Sequence, residues 1–123
     1  MVHLVAALVL GLAQAVPALG GLVPWWPVYI HLLVLGWATQ MIFGVAYWMF
    51  PREGALDLAR VPWLGWICFV TLNAGLVLRA IGEPALATSH SDAVVVTVIV
   101  AAALQLASVV AFVALGWRRV RAR

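Results

Sequence analysis

Four long apolar runs, none with an acidic or basic side chain well inside it, decide what this chain can become. A bilayer's hydrocarbon core takes about 20 apolar residues per helix, and it leaves backbone polar groups nothing to bond except one another. The runs fall at 3–22, 28–50, 62–81 and 93–117, and each is expected to be a membrane-spanning α-helix. The composition agrees: 67% of the 123 residues are hydrophobic, 9% are charged, and the mean hydropathy is +1.13. A soluble domain of this length needs far more polar surface. The expected fold is therefore all-α, one polytopic four-helix transmembrane domain over residues 1–123.

The breaks between the runs have their own chemistry. "GGLVPWWP" (Gly20–Pro27) joins glycines and prolines to two interfacial tryptophans. "PREGALDLARVP" (Pro51–Pro62) holds four charges, and "GEPALATSHSD" (Gly82–Asp92) is polar, with Asp92 expected to cap the last helix. Arg52, Arg60, Arg118, Arg119, Arg121 and Arg123 share one side of this arrangement, and Arg79 lies on the other. Because positive residues accumulate on the cytoplasmic side, both termini are expected there. The localisation that follows is a cytoplasmic, inner membrane crossed several times. A chain free of Lys and rich in Ala, Val, Gly and Arg suggests a GC-rich bacterial source. A competing reading makes the first run a signal peptide with "AQA" as its cleavage site, although a basic n-region is missing. Cys68 is the one cysteine, so neither an internal disulfide nor a CxxC metal site can form.

Each run carries one amide, Gln14, Gln40, Asn73 or Gln105, about twelve or thirteen residues from its expected start. An unbonded amide in hydrocarbon is costly, so these four are expected to face protein and bond across helices. Structural glue is the plain interpretation; a polar pathway for protons or a small ligand is the sharper one, with no charged group at that depth to select it. On an α-helical wheel Tyr29, Gly36, Gln40, Gly44 and Tyr47 gather on one face of the second run, and Gly36 and Gly44 there suit close helix packing. His31 points roughly 160° from Tyr29 on the same wheel, toward another helix, another subunit or lipid headgroups. Trp25, Trp26, Trp48, Trp63, Trp66 and Trp117 sit near expected interfaces, as an aromatic belt does; Trp37 is deeper. His90 is expected in a solvated loop and His3 at a solvated terminus, across the membrane from His31.

"HLLVLGW" followed by "IFGVAYWMFPR" in the second run resembles the second helix of subunit I of haem–copper oxidases and nitric oxide reductases. The whole chain resembles short four-span bacterial proteins described as oxidase-subunit-I-like. Their pattern H-x-(E/H)-L-L-x-x-G-W, then G-V-A-(F/Y)-W-(I/M)-(L/F)-P-R, places Tyr29 at the first histidine and His31 at the second ligand-type position. "LNAGLVLRAIGEP" (Leu72–Pro84) is similar to the same group. The resemblance implies haem b near the outer face, with His31 as its metal ligand, Arg79 neutralising propionates and Tyr29 beside them. The large oxidase subunit repeats a four-helix group three times. By that analogy a single four-helix chain is expected to form a homo-oligomer, a trimer in the closest parallel, with a respiratory-chain partner. The implied roles are electron transfer or gas sensing.

Full oxidase chemistry is excluded for this chain alone, because two haems and a copper need several histidines in one protomer and only His31 lies at a suitable depth. There is no nucleophile–base pair, no phosphate-binding glycine loop and no nucleic-acid signature. Two expectations from different classes remain: a small haem-binding membrane protein, and a cofactor-free structural homo-oligomer or accessory subunit of a respiratory membrane complex. Tyr29 in place of a histidine favours the second, whereas the family resemblance favours the first, the oxidase-related reading preferred here with activity left open.

Overall fold

A computed structural model describes residues 1–16, 25–49 and 61–121, with side chains from 63 to 117 in the last stretch. Every regular element among them is helical: α1 (Val2–Ala15), α2 (Trp26–Met49), α3 (Val61–Thr88) and α4 (Asp92–Arg121). Arg52 and Arg60, and the side chains of the tail arginines, lie outside the described residues, and with them most of the orientation argument.

Three of the four helices are long and apolar enough to cross a membrane; α1 is shorter. Of the first expected span, 3–22, residues 17–22 lie outside the described residues. Helix α1 has 14 residues, about 21 Å at 1.5 Å per residue, against a hydrocarbon core of about 30 Å. It stops at Ala15 because Pro17 follows. The residue before a proline is driven from helical to extended backbone, and Val16 stands at φ −88°, ψ 114°.

Helix α1 packs antiparallel to α2. A Cβ added at Gly11 would stand 3.0 Å from the Tyr29 ring, and one added at Gly36 would stand 2.8 Å from His3 Cβ. His3 is thus half-buried against the middle of α2, where the sequence reading had left it solvated.

Helix α2 begins with Pro27 in its first turn, where a missing N–H costs nothing. From Leu32 to Thr39 it is π-wound. Thr39 Oγ1 donates to the Val34 carbonyl at 2.9 Å, five residues back, across this wider winding.

Helices α3 and α4 form a hairpin, turning through Ser89–Ser91. Helix α3 runs on through Gly82 and Pro84 to Thr88, past the end expected near residue 81. The Ser89 N–H (2.8 Å) and the Thr88 hydroxyl (3.1 Å) both bond the Ala85 carbonyl and close it. Gly82, which opens the expected polar break, lies inside α3 where α4 comes close. A Cβ there would stand 2.9 Å from Val98 Cγ2, and a Cβ at Gly75, two turns earlier on the same face, would stand 2.9 Å from the Ala101 carbonyl oxygen. Leu72, Leu76 and Ala101 are buried in this seam, and Ser108 donates across it to the Cys68 carbonyl at 2.8 Å. At the start of α4 the Ser91 carbonyl accepts from the N–H groups of Val94 and Val95. Asp92 is the first helical residue rather than the cap, its carboxylate at the positive end of the helix dipole.

Candidate functional site: a polar chain across three helices

Because α3 continues past residue 81, Arg79 and Glu83 lie inside a helix, one turn apart on one face. Arg79 Nη1 donates to Glu83 Oε1 at 2.7 Å, and Arg79 Nε donates to Gln105 Oε1 on α4 at 3.1 Å. From α2, His31 Nδ1 stands 2.7 Å from the Pro27 carbonyl oxygen and 3.2 Å from Glu83 Oε1. Four side chains from three helices thus meet in one polar chain, His31–Glu83–Arg79–Gln105, in which hydrogen bonds join the last three and a 3.2 Å polar contact brings in His31. Its members grade from partly exposed, with side chains 26% accessible at His31 and 18% at Arg79, to 9% at Glu83. Gln105 is buried. A carboxylate and a guanidinium this far from water persist because each neutralises the other and each is hydrogen-bonded.

Both neighbours of His31 Nδ1 are acceptors. The ring nitrogen Nδ1 therefore carries a hydrogen, and the tautomer with that hydrogen alone would present the Nε2 lone pair to a ligand. A backbone carbonyl and a carboxylate on one ring nitrogen is the arrangement that orients histidines whose other nitrogen binds a metal. The described residues contain no group of three or more His, Cys, Asp or Glu that could hold a metal ion by themselves.

The π winding of α2 is what brings His31 to this chain. In an α-helix the nine steps from His31 to Gln40 turn about 180°, placing the two on opposite faces. A π-helix closes its hydrogen bonds one residue later and advances about 80° per residue, so the same steps return nearly to the starting direction. Both side chains then face α3: His31 meets Glu83, and Gln40 Nε2 donates to Asn73 Oδ1 at 3.2 Å. Tyr29 faces α1, with its ring 5.3 Å from that of Trp26. His31 and Tyr29 do not converge.

The four amides divide. Gln40 and Asn73 bond across α2 and α3, with Asn73 Nδ2 also donating to the Phe69 carbonyl at 2.7 Å. Gln105 takes Arg79 instead of an amide. Gln14 donates to Leu10 in its own helix at 3.3 Å, so the expectation of four cross-helix amides is corrected for Gln14. Removing the cross-helix amide by Gln40→Leu is expected to lower stability by about 0.5–2 kcal/mol, read as a fall in thermal midpoint in lipid nanodiscs. A midpoint equal to wild type would show that the bond contributes nothing.

Away from the polar chain, a half-open apolar groove of about 490 Å³ lies between α2, α3 and α4. Gln40, Phe43, Phe69 and Trp66 are on its wall. Gly44 also lines it and has nothing within 4 Å of an added Cβ, so within one chain it makes no close helix contact, whereas Gly36 does.

No family model matches this chain, and no curated protein or solved structure matches it either.

Proposed function

We propose that this helical membrane protein binds haem b through His31 Nε2, at the end of the bundle where α2 begins. The observation that carries the reading is the state of the other ring nitrogen, tied to the Pro27 carbonyl and the Glu83 carboxylate. The resemblance of "HLLVLGW" to the oxidase pattern supports the same reading. Of the residues present, His31 would hold the haem iron. Arg79 is already engaged by Glu83 and Gln105, and Tyr29 by α1, so neither is arranged to hold the propionates. The 26% exposure of His31 suits a haem bound at the protomer's surface, which a second copy in a homo-oligomer, a trimer by the oxidase analogy, would cover. A bound haem would supply one-electron transfer or gas binding. This chain's contribution is to fix the imidazole's tautomer and direction through Pro27 and Glu83.

A second reading is a cofactor-free structural homo-oligomer or accessory subunit of a respiratory complex in the bacterial inner membrane. It is favoured by the internal neutralisation of Arg79, which leaves that cation no need of a ligand's anion.

Optical spectra of the purified protein, oxidised and dithionite-reduced, separate the two. The haem reading expects a Soret band with reducible α and β bands, lost in His31→Ala. A flat spectrum from haem-supplemented cells, or a band that survives His31→Ala, would sink it.

A further inference from the structure

The groove of about 490 Å³ between α2, α3 and α4 has the size of a small-molecule site, which usually encloses about 300–1,000 Å³. All three of its helices are long and apolar enough to cross a membrane, so what enters it arrives from the lipid. Among the described residues that line it, none is acidic or basic. A charged ligand would give up its hydration with no counter-charge in return, so the groove selects a neutral one.

Two features of the wall narrow the choice further. The first is aromatic. Phe43 of α2 and Phe112 of α4 stack with ring centroids 3.8 Å apart, and Trp66 and Phe69 of α3 meet edge to face at 5.8 Å. Rings from all three helices thus line the groove, and aromatic groups attract one another beyond the area they bury. The second feature is Gln40. It lies nine residues before the end of α2, about 14 Å at 1.5 Å per residue, and so near the centre of a hydrocarbon core about 30 Å thick. Its bond to Asn73 uses one amide hydrogen, which leaves the amide one hydrogen to donate and a carbonyl oxygen to accept.

We propose that this groove binds a neutral, membrane-soluble ring compound whose hydroxyl group meets the Gln40 amide. A hydroxyl both donates and accepts, as the amide requires. A lipid acyl chain fills the same volume but offers the amide nothing, and lipid headgroups stay at the interface. Gly44, one turn from Gln40, gives the ring its room, since nothing lies within 4 Å of an added Cβ there. The site is independent of the haem reading, because His31 does not line it.

The test is saturable binding of tritiated para-octylphenol to the full chain in lipid nanodiscs, with binding to empty nanodiscs subtracted. Octylbenzene, the same molecule without its hydroxyl, is the competitor. The phenol is expected to bind about tenfold more tightly than octylbenzene, the margin of one hydrogen bond made away from water. Gln40→Leu should erase that margin. Gly44→Leu, whose side chain enters the groove, should abolish the binding of both compounds, and Val96→Ala on the exposed face of α4 should change neither. Equal wild-type affinity for the two compounds overturns the hydroxyl site and leaves a groove for acyl chains. Absence of saturable binding also overturns it; if Gly44→Leu then dissolves an oligomer seen by light scattering, the groove seats a second copy. Should Gln40→Leu fail to fold, the wild type's discrimination between phenol and octylbenzene decides by itself.

Discussion

Arg79→Met is expected to destabilise the protein by about 3–5 kcal/mol, the usual cost of stranding one member of a buried ion pair. Glu83, with its side chain 9% exposed, would keep a charge whose 2.7 Å partner had gone. Gln105 Oε1 would lose its donor as well. The same argument makes the double replacement Arg79→Met with Glu83→Leu much milder, because an apolar pair of similar volume needs neither compensation nor water. Both variants can be unfolded thermally in nanodiscs beside the wild type. A single variant within about 1 kcal/mol of wild type would mean that losing Arg79 strands no charge on Glu83, and the buried ion pair would no longer describe the site.

Gly75→Leu should rank next. Even the first carbon of a side chain there would stand 2.9 Å from the Ala101 carbonyl oxygen and 2.9 Å from Gln105 Cγ, closer than real contacts allow. The obstacle is backbone, which cannot rotate aside, so α3 and α4 must separate along the seam that buries Leu72, Leu76 and Ala101. Overpacking of this kind costs about 1–3 kcal/mol and occasionally more. Here it also pulls Gln105 from Arg79, and a loss at the top of that range or beyond is expected. Gly44→Ala is the natural control. Nothing lies within 4 Å of its added carbon, and alanine gains about 1 kcal/mol of helix propensity over glycine. Its thermal midpoint should hold or rise. If Gly44→Leu nevertheless breaks an oligomer seen by size-exclusion chromatography with light scattering, the Gly44 face is covered by another copy.

Much of the candidate site was legible in outline. In "LRAIGEP" Arg79 and Glu83 stand at the i, i+4 spacing of a helical ion pair, yet the sequence reading leaves Arg79 at the end of its run and Glu83 in the polar break. What concealed the pair was the helix end. Gly82 and Pro84 read as a break, and a pair lying beyond a break has no common face. The helix continues because Gly82 is needed for close approach to Val98, and because losing one N–H at Pro84 does not end a long helix supported by a neighbour. Gln105 was visible only as one of four amides. Nothing local distinguishes the amide that meets a guanidinium from those that meet another amide or their own helix.

His31 shows the limit of periodicity most clearly. The wheel assumes 100° per residue along the whole second run, and eight π-wound residues, Leu32–Thr39, break that assumption between the two side chains that matter. A π segment is held by packing on both sides, with α1 against Gly36 and α3 against His31 and Gln40, and no residue type in "LLVLGWAT" announces it.

By itself the sequence determined that the chain is helical and built of four apolar runs. Those properties follow from composition and from the need of backbone groups in lipid to bond within their own segment. Only the tertiary structure decided that α1 is short, that α3 runs through its proline, and that His31, Glu83, Arg79 and Gln105 meet. Each of these depends on where one helix approaches another. A helix's own sequence fixes its hydrophobicity, whereas the direction its polar side chains face is settled by the neighbours able to satisfy them.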